Sequence, residues 1–141
     1  MKKLFLTGVV ALCTLVASAQ FMVVTTYDGD QEENMDKITT NIGIGYMVND
    51  MISVGLTSGG EDATGEDTYD IFARYNIAQV EGAYASLTMP GDDAEDMSIG
   101  VGFAFNVWNG LYVEPNYTMP TSEDDEGNRE GSFNFGLSYR F

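Results

Sequence analysis

From Ser132 to Phe141 the chain alternates without a miss between small or polar side chains (Ser132, Asn134, Gly136, Ser138, Arg140) and bulky apolar ones (Phe133, Phe135, Leu137, Tyr139, Phe141). Successive side chains of an extended strand point to opposite faces, so this period of two predicts a strand with one apolar and one polar face. A helix turns every 3.6 residues and would scatter the same aromatics around its circumference.

The alternation recurs in eight blocks: Phe21 to Tyr27, Lys37 to Val48, Met51 to Ser58, Thr68 to Ile77, Gly82 to Met89, Met97 to Val107, Leu111 to Met119, and Ser132 to Phe141. Their connections sort by parity. After the second, fourth and sixth blocks they are short (Asn49-Asp50, Ala78 to Glu81, Trp108-Asn109-Gly110), as in hairpin turns. After the first, third, fifth and seventh they are long and acidic (Asp28 to Asp36, Gly59 to Asp67, Pro90 to Asp96, Pro120 to Glu130). An even number of strands, with short turns at one end and long loops at the other, is the asymmetry of a bacterial outer-membrane barrel. A soluble sandwich has no reason to sort its loops this way.

The first 19 residues fit that export route. A basic start (Lys2, Lys3), an apolar run from Leu4 to Val16 and the small Ala17-Ser18-Ala19 predict a cleaved signal peptide. The run falls short of the roughly 20 residues that a membrane-spanning helix needs. Cys13 lies inside this signal, and Leu12 before it argues against lipidation, so residues 20–141 are expected to form one barrel domain without thiol chemistry. The chain carries 6 basic and 22 acidic residues; losing Lys2 and Lys3 leaves 4 against 22, a net charge of −18. Nucleic acid is excluded as a partner on that balance.

Facing decides which side of the wall meets what. The sixth block sets Met97, Ile99, Val101, Phe103, Phe105 and Val107 against Ser98, Gly100, Gly102, Ala104 and Asn106, and the second sets Ile38, Thr40, Ile42, Ile44, Tyr46 and Val48 against Lys37, Thr39, Asn41, Gly43, Gly45 and Met47. An eight-stranded barrel has room inside only for side chains to fill it, so the small and polar set belongs in the lumen and the bulky set outside. Strand one, with Phe21, Met22, Val23 and Val24, leaves its facing open. Outward aromatics gather near strand ends, at Tyr46, Tyr75, Tyr139 and Phe141 toward the short turns and at Tyr27, Tyr69 and Tyr117 toward the loops, with Trp108 at a turn. Rings at headgroup depth form two such girdles.

The stretch Ile42-Gly43-Ile44-Gly45-Tyr46-Met47-Val48-Asn49-Asp50-Met51-Ile52-Ser53-Val54-Gly55-Leu56 resembles the second hairpin of small outer-membrane barrels of the OmpA/OmpX-like class, and Gly136-Leu137-Ser138-Tyr139-Arg140-Phe141 resembles their C-terminal ending. The resemblance implies that Leu137, Tyr139 and Phe141 form the signal read by the barrel assembly machinery. It implies no particular activity, and no counterpart of the peptidoglycan-binding domain of larger members is expected in these residues.

No histidine is present, and the only cysteine goes with the signal, which removes the usual general base, thiol nucleophile and commonest metal ligands together. An enzyme is not expected, and no cofactor. Charged side chains predicted to face the lumen are few: Lys37 and Asp70 near the loop rim, with Arg74, Glu114 and Arg140 deeper, where they form a polar plug or, on a second reading, a gate. The four loops hold 18 carboxylates, among them Asp28, Asp30, Asp92, Asp93, Asp124 and Asp125, weak candidates for divalent cations or other surface ligands. Asp28-Gly29-Asp30 does not continue as an EF-hand, because Glu33 stands at the sixth position and Thr39 at the twelfth. Asn116-Tyr117-Thr118 matches a glycosylation sequon but falls within a strand.

The sequence thus predicts an all-β, eight-stranded antiparallel up-and-down transmembrane barrel in the outer membrane of a Gram-negative bacterium, among lipid and lipopolysaccharide, with a structural or surface-interaction role. A small pore for ions or solutes, and a soluble periplasmic barrel binding an apolar ligand, are the alternatives. The soluble barrel requires the bulky faces to turn inward.

Overall fold

The computed structural model describes residue 7 and residues 20–141, apart from 28, 30, 31, 40, 62 and 92–94. The signal segment, apart from Thr7, and the candidate ligands Asp28, Asp30, Asp92 and Asp93 lie outside the described residues. The elements are β1 (Phe21–Thr26), α1 (Asp36–Thr39), β2 (Gly43–Met47), β3 (Ile52–Glu61), β4 (Asp67–Asn76), β5 (Ala83–Pro90), β6 (Ser98–Phe103), β7 (Phe105–Trp108), β8 (Leu111–Pro120) and β9 (Ser132–Arg140). All pairings are antiparallel, in the order β6-β5-β4-β3-β2-β1-β9-β8-β7, and β6 pairs with β8 as well. β6 and β7 are two parts of one stave, so the wall is a closed barrel of eight strands. Closure removes the free edges that an open sheet would expose.

The break in that stave has its cause on another strand. Sequence alternation runs one strand from Met97 to Val107, but the register of β8, with Gly102 opposite Asn116 and Phe105 opposite Val113, puts Pro115 across from Phe103. Proline has no N–H to give to the Phe103 carbonyl, and the ladder lapses there. Ala104 turns its amide the other way, to the Gly82 carbonyl at 2.8 Å.

A second correction concerns the expected strand from Lys37 to Val48, which begins only at Gly43. The pairing of β1 with β2 stops at Val24 and Gly43 although β1 itself runs on to Thr26, and the residues before Gly43 bond mostly among themselves. The Lys37 amide donates to the Glu33 carbonyl, the Ile38 and Thr39 amides to Met35, and the Ile42 amide to Thr39, which makes the single turn α1. The Thr25 hydroxyl donates to the Ile38 carbonyl and ties that turn to β1. Lys37 therefore sits on α1 and not on a strand of the wall. The second loop is also shorter than its acidic run suggested, because β3 and β4 continue, through a register shift at Ser58/Gly60, until Glu61 faces Asp67.

Faces follow the parity of the sequence. Ile52, Val54, Leu56, Ile71, Leu87, Ile99, Val101, Phe103 and Phe135 are exposed on the outside, reaching 62 % at Phe133 and 72 % at Trp108. Inside, Met22, Val24, Phe72 and Tyr84 are buried, which fixes the facing of β1. The lumen is narrow enough that some positions exclude any side chain: a Cβ at Gly55 would stand 2.5 Å from the Phe72 ring, and one at Gly102 would stand 2.6 Å from the Tyr84 hydroxyl. The short turns are shaped locally. The Asn49 carboxamide accepts from the Met51 and Ile52 amides, and Asn109 and Gly110 take positive φ of 21° and 88°.

Candidate functional site

The centre of the barrel is built around one carboxylate. Glu114, on β8, is 0 % exposed. Its Oε2 accepts from Arg74 Nη1 of β4 at 2.6 Å, and its Oε1 accepts from the Ser138 hydroxyl of β9 at 2.6 Å and from Arg140 Nη2 at 3.3 Å. Three strands thus meet on one side chain. Burying a lone carboxylate carries a large desolvation cost, and two guanidinium groups with a hydroxyl offset it by occupying both oxygens.

Aromatic rings hold the cations in place. The Arg74 guanidinium lies 4.8 Å from the Tyr84 ring centre and 5.4 Å from that of Phe72, and the Arg140 guanidinium lies 4.0 Å from that of Tyr112. Cation–π contact of this kind gains strength when water is excluded. Arg140 Nε is buried and finds no acceptor among the described residues. Met22 and Met47 pack toward the turn end, against Val24 and Phe72.

Above this layer the lumen opens. A cavity of about 190 Å³ has Phe72, Arg74 and Tyr84 at its base and Thr57, Asp70, Ser86, Thr88 and Asn116 on its sides. Asp70 stands opposite Thr57 and Pro90, toward the loop end, and lines this cavity rather than joining the ion pairs around Glu114.

Of the five charged residues expected in the lumen, then, Arg74, Glu114 and Arg140 converge, Asp70 stands above them, and Lys37 is elsewhere on α1. Sequence reading passed over Ser138, Tyr84, Phe72 and Tyr112. Parity held the signal for three of them: Ser138 lies two residues from Arg140, Phe72 two from Arg74, and Tyr112 two from Glu114, each on the inward face.

At the loop end, the Asp124 carboxylate accepts from the Glu126 and Asn128 amides and so shapes its own loop. Arg129 meets Glu123 at 3.4 Å, an exposed pair worth little in water. Among the described residues no three acidic, cysteine or histidine side chains converge as a metal site. Leu137, Tyr139 and Phe141 stand on or just past β9, where Leu137 and Tyr139 pair with Thr25 and Val23, and the Phe141 amide donates to the Phe21 carbonyl at 3.0 Å. No protein-family model, no curated protein and no solved structure matches this chain.

Proposed function

We propose that the protein is an integral, up-and-down barrel of a Gram-negative outer membrane, exported by its signal segment, with a non-catalytic structural or surface-interaction role carried by its acidic loops. The observation that carries this reading is the inverted burial. Large apolar side chains cover the outside of the wall from Ile52 round to Phe135, while the inside holds glycine, hydroxyls, one buried ion cluster and a small apolar group of Met22, Val24, Phe72 and Tyr84. A water-soluble barrel has little reason to expose so much contiguous apolar area. Lipid is the solvent that suits it, and the closed ladder leaves few backbone groups unsatisfied there. Turning the bulky faces outward also removes the apolar lumen that a soluble carrier of apolar ligands would need.

In this reading the terminal strand, with Leu137, Tyr139 and Phe141, is what the barrel assembly machinery engages, and the loops meet lipopolysaccharide, divalent cations or other surface ligands. The Arg74–Glu114–Arg140 layer acts as a plug rather than a pore, since Glu114 has no solvent exposure and both its oxygens are occupied. Two measurements test the reading. Alkaline extraction of membranes from a Gram-negative host should leave the protein in the outer-membrane pellet; release to the supernatant overturns the membrane assignment. Single-channel recording on the inserted protein should be silent, and stable unitary steps would replace the plug with a pore.

A further inference from the structure

Charge inside the barrel is balanced. Among the described residues, the strand-borne charges that face inward are Arg74, Arg140, Glu114 and Asp70, two of each sign. Arg74 has already given its shortest contact to Glu114, so an ion entering the cavity above would upset a neutral site. Anions meet a further obstacle in charge, because the four long connecting stretches of the sequence carry 18 acidic residues against only Arg129 and the adjoining Lys37.

The walls are rich in groups that both donate and accept. Thr57 of β3 and Ser86 and Thr88 of β5 present hydroxyls from the two strands that flank β4, Asn116 adds an amide, and Asp70 of β4 adds a carboxylate that suits hydroxyl donors. The base is bordered by Phe72 and Tyr84, whose largely buried rings leave only a small apolar margin beside these polar groups. At about 190 Å³ the space exceeds that of a few waters, each of which occupies ~30 Å³ in the liquid. It is smaller than the ~300 Å³ at which pockets for drug-sized ligands begin.

We propose that this cup binds one small uncharged polyhydroxylated molecule, of the size and chemistry of a monosaccharide. Hydroxyls on the ligand would exchange hydrogen bonds with Thr57, Ser86, Thr88 and Asp70, and its C–H face would rest toward the aromatic base. The ion layer below closes the cup, so the ligand enters and leaves by the loop end.

The test is a titration of the refolded protein in detergent micelles with glucose, read by the NMR signals of Thr57, Ser86 and Thr88. Saturable shifts confined to the cup are expected, with the trisaccharide raffinose and inorganic phosphate giving none. Thr88→Val and Asp70→Asn should each weaken glucose binding about fivefold, the loss expected for one hydrogen bond, without altering the rest of the spectrum. Thr57→Val replaces either variant that does not fold. Absence of saturable shifts in a folded barrel overturns the proposal, as do equal responses to raffinose or phosphate. The titration needs only folded protein. A barrel that alkali extracts from the membrane therefore sinks the outer-membrane reading and leaves this result standing, and a silent titration does the reverse.

Discussion

The two halves of the lumen share one wall and yet are opposite kinds of interior. Toward the turns, Glu114, Arg74, Arg140 and Ser138 interlock around a fully buried carboxylate; toward the loops, threonine and serine hydroxyls surround about 190 Å³ of open volume. The strands on either side of the boundary are the same, so the difference comes from side-chain reach. Arginine and glutamate extend to the axis and meet there, whereas serine and threonine stop near the wall. A barrel of fixed strand number is therefore closed or open, level by level, according to which inward residues are long and whether they find partners.

That contrast is breakable at several points. The largest effect should come from Glu114→Gln, which leaves two partly buried guanidinium groups without their charge partner and should cost about 3 to 5 kcal/mol in urea unfolding. Parent-like stability would mean that the lower half is held by packing and not by the ion cluster. On the outside of the wall, if it spans an outer membrane as proposed, Phe103→Arg should cost about 2 to 4 kcal/mol in lipid vesicles, the penalty for a charge near mid-membrane. A neutral result there would place that face in water.

At the boundary between the halves, Gly55→Ala drives a methyl against both the Ile44 carbonyl oxygen and the Phe72 ring and should cost about 1 to 3 kcal/mol by thermal unfolding. If it is tolerated, the wall at Ile44 and the base of the cup at Phe72 are both softer than these contacts suggest. The smallest effect belongs to Thr57→Val, which keeps the shape and loses a hydroxyl facing open space, and should change stability by less than about 0.5 kcal/mol. A large loss from that variant would show that the upper half is as tightly organised as the lower.

Most of this architecture is written in alternation, which is local and therefore legible. The inward set on β9, from Ser132 to Arg140, and the bulky outward set on β6 follow directly from a period of two. The meeting of Arg74, Glu114 and Arg140 was also within reach, since few charges share the inward face. What alternation could not convey depended on partners. Ile38, Thr40 and Ile42 alternate as well as any strand, yet Lys37–Thr39 coil where the pairing with β1 has already stopped at Gly43. The break at Ala104 is invisible in its own segment, because the cause is Pro115 on the neighbouring strand. The open cup was likewise not legible, since a cavity is a property of eight strands together and of none singly.

The pairing of β1 with β9, continued by the hydrogen bond from Phe141 to Phe21, has a consequence for how the molecule forms. Every other seam joins strands adjacent in the chain and zips over short separations, but this one joins the two ends of the described barrel. Its contacts carry the highest loop-closure cost and should form last and slowly. Until they do, the growing sheet has two unpaired edges flanked by aromatic side chains, a state prone to association with other chains. Folding of this protein is thus a race between sealing one seam and sticking, and whatever shields β1 and β9 in the interval decides the yield.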